Sequence, residues 1–291
     1  MNRAPFPYWS AVLTMVTAMA CLSTQDTLSK RLMLSLTPVI IIWTRYSLQT
    51  VLAVTTLWRQ RSAVLWRTRQ PGLHLLRGVM VVGGSVCGYA ALERIPVAEF
   101  TAIYCLVPLS ITLVARFVLK ESVSKAAWLC IATGLAGALM VARPGGDVDP
   151  QGAALALLGV VCYTGFQILT GHLARQDSPL TIQLYTSLLG AASFTLVVPF
   201  FWPAALGWSD LALLAVVALA GAYGQYFMVL AYARAPASVI SPCLYSAIAF
   251  SALGGWWMFG HLPDGWAVTG MCLIAASGLA IGWLRQKGAP G

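Results

Sequence analysis

Apolar runs of roughly 18 to 24 residues recur along the whole chain, separated by short breaks rich in proline, glycine and charge. At about 1.5 Å of rise per residue, each run is long enough to cross the hydrocarbon core of a bilayer as one helix. The pattern predicts spans at 9–29, 37–57, 73–92, 96–118, 125–142, 151–172, 179–200, 209–231, 236–258 and 264–284. The breaks carry stop and turn chemistry, as in Gln70-Pro71-Gly72, Arg143-Pro144-Gly145-Gly146 and Asp177-Ser178-Pro179. The expected fold is therefore an all-α polytopic membrane protein with ten transmembrane helices.

Composition sharpens that reading. Hydrophobic residues make up 59% of the 291 positions and charged residues only 9%, far below the quarter or so of a soluble chain. The seven cysteines all lie in apolar runs, where they act as small hydrophobes. His74, His172 and His261 form no metal-ligand array, so neither a metal nor another cofactor is expected. A formal charge of +9 suggests nucleic acid in a soluble protein, but in a membrane chain basic loop residues set orientation. With the N-terminus inside, twelve basic residues from Arg3 to Lys287, Arg77 among them, fall on the inner side. Lys30, Arg31, Arg94 and Arg143 fall outside, which predicts an inner-membrane protein with both termini cytoplasmic.

The chain also resembles itself. The stretch from Ala91, ALERIPVAEFTAIYCLVP, aligns with AYARAPASVISPCLYSAI from Ala231 at a constant offset of 140 residues, with Ala91, Arg94 and Pro96 meeting Ala231, Arg234 and Pro236. Five spans precede the midpoint, so two related halves, 1–146 and 147–291, would lie inverted in the bilayer, the architecture of alternating-access carriers. No GxxxxGK[ST] phosphate loop occurs, which favours secondary over nucleotide-driven transport.

These residues resemble the drug/metabolite transporter superfamily in its ten-helix EamA-type branch. The resemblance rests on YAALERIPVAEFTAIYCLVPLSITLVARFVLKESVSKAAW, with Pro96, Pro108 and Glu121, and on the second-half stretch with Pro236 and Pro242. Where the branch often repeats the glutamate, this chain has His261. The resemblance implies a non-enzymatic carrier of small metabolites, most similar to members that take up S-adenosylmethionine or export opine-type metallophores. The leading expectation is export of an amino-acid-like solute, coupled to proton entry. Uptake of S-adenosylmethionine-like solutes, efflux of drug-like cations and a membrane assembly protein stay open, as do monomer and homodimer. Lipid is the surrounding partner, and nucleic acid is not one.

Within this frame, intramembrane polar residues are the candidate machinery. Arg45, eight residues into the second span, is read either as the partner of a substrate carboxylate or as half of a structural pair. Asp26 and Glu99 are candidate proton acceptors, Asp26 also standing one turn from Lys30. Tyr163 and Gln167 share a face of the sixth span, joined as candidate cavity walls by Gln225, Tyr89, Tyr104, Tyr226 and Tyr245. Pro108 and Pro242 are candidate kinks or gating elements, and Glu121 a candidate gate residue at the cytoplasmic junction. Trp9, Trp58, Trp66, Trp202, Trp208 and Trp283 read as interfacial anchors.

Overall fold

The computed structural model describes residues 8–59, 68, 70–95, 97–121, 123–142, 149–202, 207–259 and 265–287. All regular structure among them is helical: α1 (Tyr8–Leu32), α2 (Pro38–Arg59), α3 (Pro71–Leu92), α4 (Val97–Tyr104), α5 (Leu106–Phe117), α6 (Lys125–Ala142), α7 (Pro150–Leu173), α8 (Pro179–Thr195), α9 (Trp208–Arg234), α10 (Ala237–Ile240), α11 (Ser246–Phe259) and α12 (Gly265–Lys287), with 3-10 turns at Val198–Phe201 and Ser241–Tyr245. Six segments among the described residues are long and apolar enough to cross a membrane: 38–59, 100–117, 125–142, 150–173, 208–234 and 237–258.

Local chemistry explains where several helices begin. Asp149 accepts the backbone N–H of Gly152 at 3.0 Å and Ser178 that of Thr181 at 3.1 Å, each followed by a proline at the first helical position. Pro38 and Pro71 open α2 and α3 in the same way. Helix α5 ends differently: Lys120 takes a left-handed backbone (φ 54°), a conformation that glycine or asparagine usually supplies, and turns the chain toward Glu121.

The fourth and ninth predicted spans are each interrupted, which hydrophobic periodicity did not reveal. Pro108 has no N–H to offer the Tyr104 carbonyl, and the helix breaks at Cys105 between α4 and α5. Pro242 lies in the 3-10 turn between α10 and α11. The two breaks are joined, because the Tyr245 hydroxyl donates to the Cys105 carbonyl at 2.9 Å and the Thr112 and Ser241 hydroxyls bond at 2.7 Å. Tyr245 is buried, with its ring against Gly134, where a Cβ would stand 2.5 Å from its Cδ2. Changing Tyr245 to Phe strips a buried carbonyl of its donor. We expect a loss of about 1–2 kcal/mol, read as a lower thermal unfolding midpoint in nanodiscs.

Helices pack in a regular set of pairs: α1 along α9, α3 along α7, α2 along α8 and α6 along α12. Within a bilayer apolar burial does not drive helices together, so small residues that admit close approach matter most. Gly137 and Gly270 face each other between α6 and α12, and Gly84 of α3 would bring a Cβ within 3.3 Å of the Cys162 Cβ on α7. Outward faces are apolar, with Phe200, Trp208 and Trp257 at least 80% exposed, as lipid contact requires. Trp58, Trp202 and Trp208 sit at or beside helix ends; Trp66 and the side chain of Trp283 lie outside the described residues.

Candidate functional site

A central cavity of about 440 Å³ opens among the helices, a size that suits a small metabolite. Its walls follow helical spacing. Helix α1 contributes Met19, Leu22, Ser23, Asp26 and Ser29, α2 contributes Pro38, Ile41, Arg45 and Gln49, and α3 contributes Arg77, Val81, Gly84, Ser85 and Gly88. Opposite them stand Phe100 and Tyr104 of α4, Tyr163 and Phe166 of α7, Gln183 and Thr186 of α8, and Gln225 of α9. The lining combines both signs of charge, four glutamine amides from Gln25, Gln49, Gln183 and Gln225, and aromatic faces.

Individual groups are held in defined ways. Asp26 accepts a hydrogen bond from the Gln25 amide at 2.9 Å. The Gln183 amide donates to the Ala222 carbonyl at 3.1 Å. Gly221 leaves room for two of the amides, since a Cβ there would stand 2.9 Å from Gln49 Nε2 and closer still to Gln25 Oε1. The Arg45 guanidinium lies 4.6 Å from the Tyr46 ring centroid, and its buried Nε has no hydrogen-bond partner. Phe100 and Tyr104 pack with ring centroids 4.3 Å apart.

Of the residues predicted from sequence, the cavity takes Asp26, Arg45, Tyr104, Tyr163 and Gln225. Gln167 is absent from its lining; this side chain is completely buried and neither amide atom is hydrogen-bonded. Tyr226 packs edge-on to Phe227 at 5.8 Å, and Tyr245 is spent on the Cys105 carbonyl, both away from the lining. The side chains of Tyr89 and Glu99, and His261, lie outside the described residues. Glu121 is absent from the cavity lining and stands at the junction after α5, where Oε1 meets Arg175 at 3.3 Å and Oε2 accepts the Ser238 N–H at 3.4 Å.

The largest correction concerns Arg77. Read from sequence only as an orienting charge on or near the inner side, it is in fact only 1% exposed, in the second turn of α3, and lines the cavity. Without it, the sequence tally for an inward N-terminus is eleven basic residues against four. The neighbouring His74, three residues earlier on α3, has no role in the sequence reading beyond forming no metal-ligand array. Its Nε2 lies 2.7 Å from Asp177 Oδ2, and the Thr68 hydroxyl donates to that same oxygen at 2.6 Å. Sequence missed Arg77 because it follows Pro71 by six residues and so reads as loop-proximal. The signal was its place inside an apolar run on the face shared with Gly84, Ser85 and Gly88.

With this geometry in hand, comparison with known proteins is informative. The Rhizobium johnstonii riboflavin transporter is 31% identical over 218 residues, covering 74% of this chain and 71% of that protein. The Pseudomonas aeruginosa pseudopaline exporter is 28% identical over 94% of this chain and 95% of its own length. The Rickettsia prowazekii S-adenosylmethionine uptake transporter is 23% identical over 99% and 97%. A solved crystal structure superposes with a TM-score of 0.81 at 21% identity, covering 96% of this chain and 99% of that one, which establishes a shared fold. The sequence model of the EamA-like transporter family matches twice, at residues 9–143 and 150–283. The chain is thus a multi-pass membrane protein that belongs to the EamA-like transporter family.

Proposed function

We propose that this protein is a secondary transporter that carries a small zwitterionic, amino-acid-derived metabolite through the central cavity by alternating access, with export as the direction. The observation that carries the reading is charge of both signs, Asp26 with Arg45 and Arg77, on the wall of one small cavity that also presents amides and aromatic rings. A solute with an ammonium and a carboxylate offers each sign of wall charge a partner, and the amides meet its remaining polar groups. The pseudopaline exporter and the S-adenosylmethionine carrier, both relatives, are named for amino-acid-derived solutes.

Alternation rests on two inverted five-helix halves, 1–146 and 147–291, with both termini in the cytoplasm. Support comes from the two consecutive family matches and from the helix pairs, because exchanging the halves turns α1 along α9 into α7 along α3. In this reading Pro108 and Pro242 mark the points where the crossing helices flex. The Glu121–Arg175 contact, which also ties the start of α10 to the end of α5, closes the inner side. Asp26 is the group that exchanges a proton during the cycle.

A second reading has its own support. Three relatives are named riboflavin transporters, and a planar heteroaromatic solute would suit the Phe100 and Tyr104 rings and the glutamine amides. Proteoliposomes loaded with labelled L-methionine, S-adenosylmethionine or riboflavin, under an imposed pH gradient, separate the two. Gradient-dependent movement of either charged solute supports the first reading, and movement of riboflavin alone supports the second. No protein-dependent movement of any of them contradicts both.

A further inference from the structure

Arg77 is a cation inside the bundle whose hydrogen-bond partners among the described residues are all neutral. Its Nε donates to the Thr170 hydroxyl at 2.8 Å, and one terminal nitrogen donates to the Ile182 carbonyl at 3.4 Å and to the Thr186 hydroxyl. The guanidinium carbon lies 4.3 Å from the Phe166 ring centroid. Both hydroxyls spend their own protons on helix carbonyls, Thr170 on Phe166 at 2.6 Å and Thr186 on Ile182 at 3.1 Å. They therefore face the guanidinium as acceptors, and its plane is fixed from three sides.

These contacts set the orientation of the charge without neutralising it. A lone cation in a low-polarity interior is costly, and neutral hydrogen bonds recover only part of that cost. Among the described residues no carboxylate forms an ion pair with Arg77. The acid that neighbours its helix, Asp177, is taken by His74 and Thr68. The other terminal nitrogen of Arg77 takes none of the contacts named, and the residue lines the cavity. A guanidinium pinned along one edge and open along another presents a planar fork that matches an oxyanion. Arg45, by contrast, has no hydrogen-bonded seat for its Nε, so it lacks this preorganisation.

We propose that Arg77 is the specificity-determining residue that reads a carboxylate on the transported solute, with Thr170 and Thr186 as positioning residues. This rests on the cavity being the solute site and assigns the carboxylate of that solute to Arg77 rather than Arg45. Arg45 then acts as a wall charge that need not touch the carboxylate.

The test uses purified full-length protein in nanodiscs and three matched probes: L-phenylalanine with L-phenylalaninamide, L-methionine with L-methioninamide, and benzoate with benzamide. Affinities are read from ligand-dependent thermal shifts. Wild type is expected to bind at least one acid about tenfold or more tightly than its amide. Arg77→Gln should bring that ratio near one, Arg77→Lys should leave it intermediate, and Thr186→Val should reduce it several-fold in a folded protein. The Lys and Val variants keep the test decisive if the Gln variant does not fold. The inference fails if no pair distinguishes acid from amide in wild type, if the Arg77 and Thr186 variants retain the wild-type ratio, or if Arg45→Gln alone abolishes it. Transport of riboflavin in the vesicle assay, combined with indifference to the carboxylate, would overturn this inference and leave the transporter reading standing.

Discussion

Replacing Gly137 with leucine will leave little folded protein. A Cβ on Gly137 would stand 2.6 Å from the Gly270 carbonyl oxygen, and one on Gly270 would stand 2.5 Å from the Gly137 carbonyl oxygen. Both obstacles are backbone atoms, which cannot turn aside as a flexible side chain would. A larger residue forces α6 away from α12 along the contact that Ser277 supports by donating to the Cys130 carbonyl at 2.8 Å. Overpacking of a side-chain core costs about 1–3 kcal/mol, and separation of two backbones in lipid should lie at or above the upper end. Gly255→Leu is the control, because among the described residues nothing lies within 4 Å of a Cβ there. The expected outcome is loss of the monodisperse peak in detergent for Gly137→Leu and an unchanged profile for Gly255→Leu. Equal behaviour of the two would refute the close packing of α6 on α12.

Asp26→Asn should lower transport strongly while leaving the fold intact. The change keeps the shape of the side chain and removes the negative charge from the cavity wall. If the carboxylate meets the ammonium of the solute, the charged hydrogen bond lost is worth about 1.5–3 kcal/mol, or about 10- to 100-fold in transport efficiency. Arg45 lies close enough to interact electrostatically with Asp26, so a purely structural counter-charge role makes a different prediction. In that case the double variant Asp26→Asn with Arg45→Gln would regain most of what the single variant loses. The solute-contact reading predicts that the double variant transports no better than the single one. Initial rates in proteoliposomes, normalised to folded protein, decide between them.

Much of the fold was legible because the membrane imposes one rule on every span. Helix α6 begins and ends where the apolar run does, and the starts of α7 and α8 follow from Asp149 and Ser178 before prolines. The interruption at Cys105 was only half legible. Pro108 announces a missing donor, but the hydroxyl that meets the broken helix comes from Tyr245, 140 residues away. The candidate site divides for a similar reason. Asp26 and Arg45 stand out as charges in apolar runs, whereas Gln49 and Gln183 carry no such mark and depend on helix rotation, which one sequence leaves undetermined. Arg77 was misplaced by a rule that treats a basic residue near a proline break as a loop charge. The opposite error occurred at Tyr245, a polar residue taken for a cavity wall that serves helix packing instead.

The most direct test is to fill the cavity without disturbing its walls. Ser85 lines it from α3 and, among the described residues, bonds only to the Val81 carbonyl of its own helix, at 2.8 Å, so Ser85→Trp places a bulky ring in the open space. If the cavity is the transport route, this variant should purify with a wild-type unfolding midpoint and move no labelled solute above the protein-free background. Wild-type transport by a folded Ser85→Trp protein would show that solute passes elsewhere, and the assignment of the cavity as the transport site would be wrong.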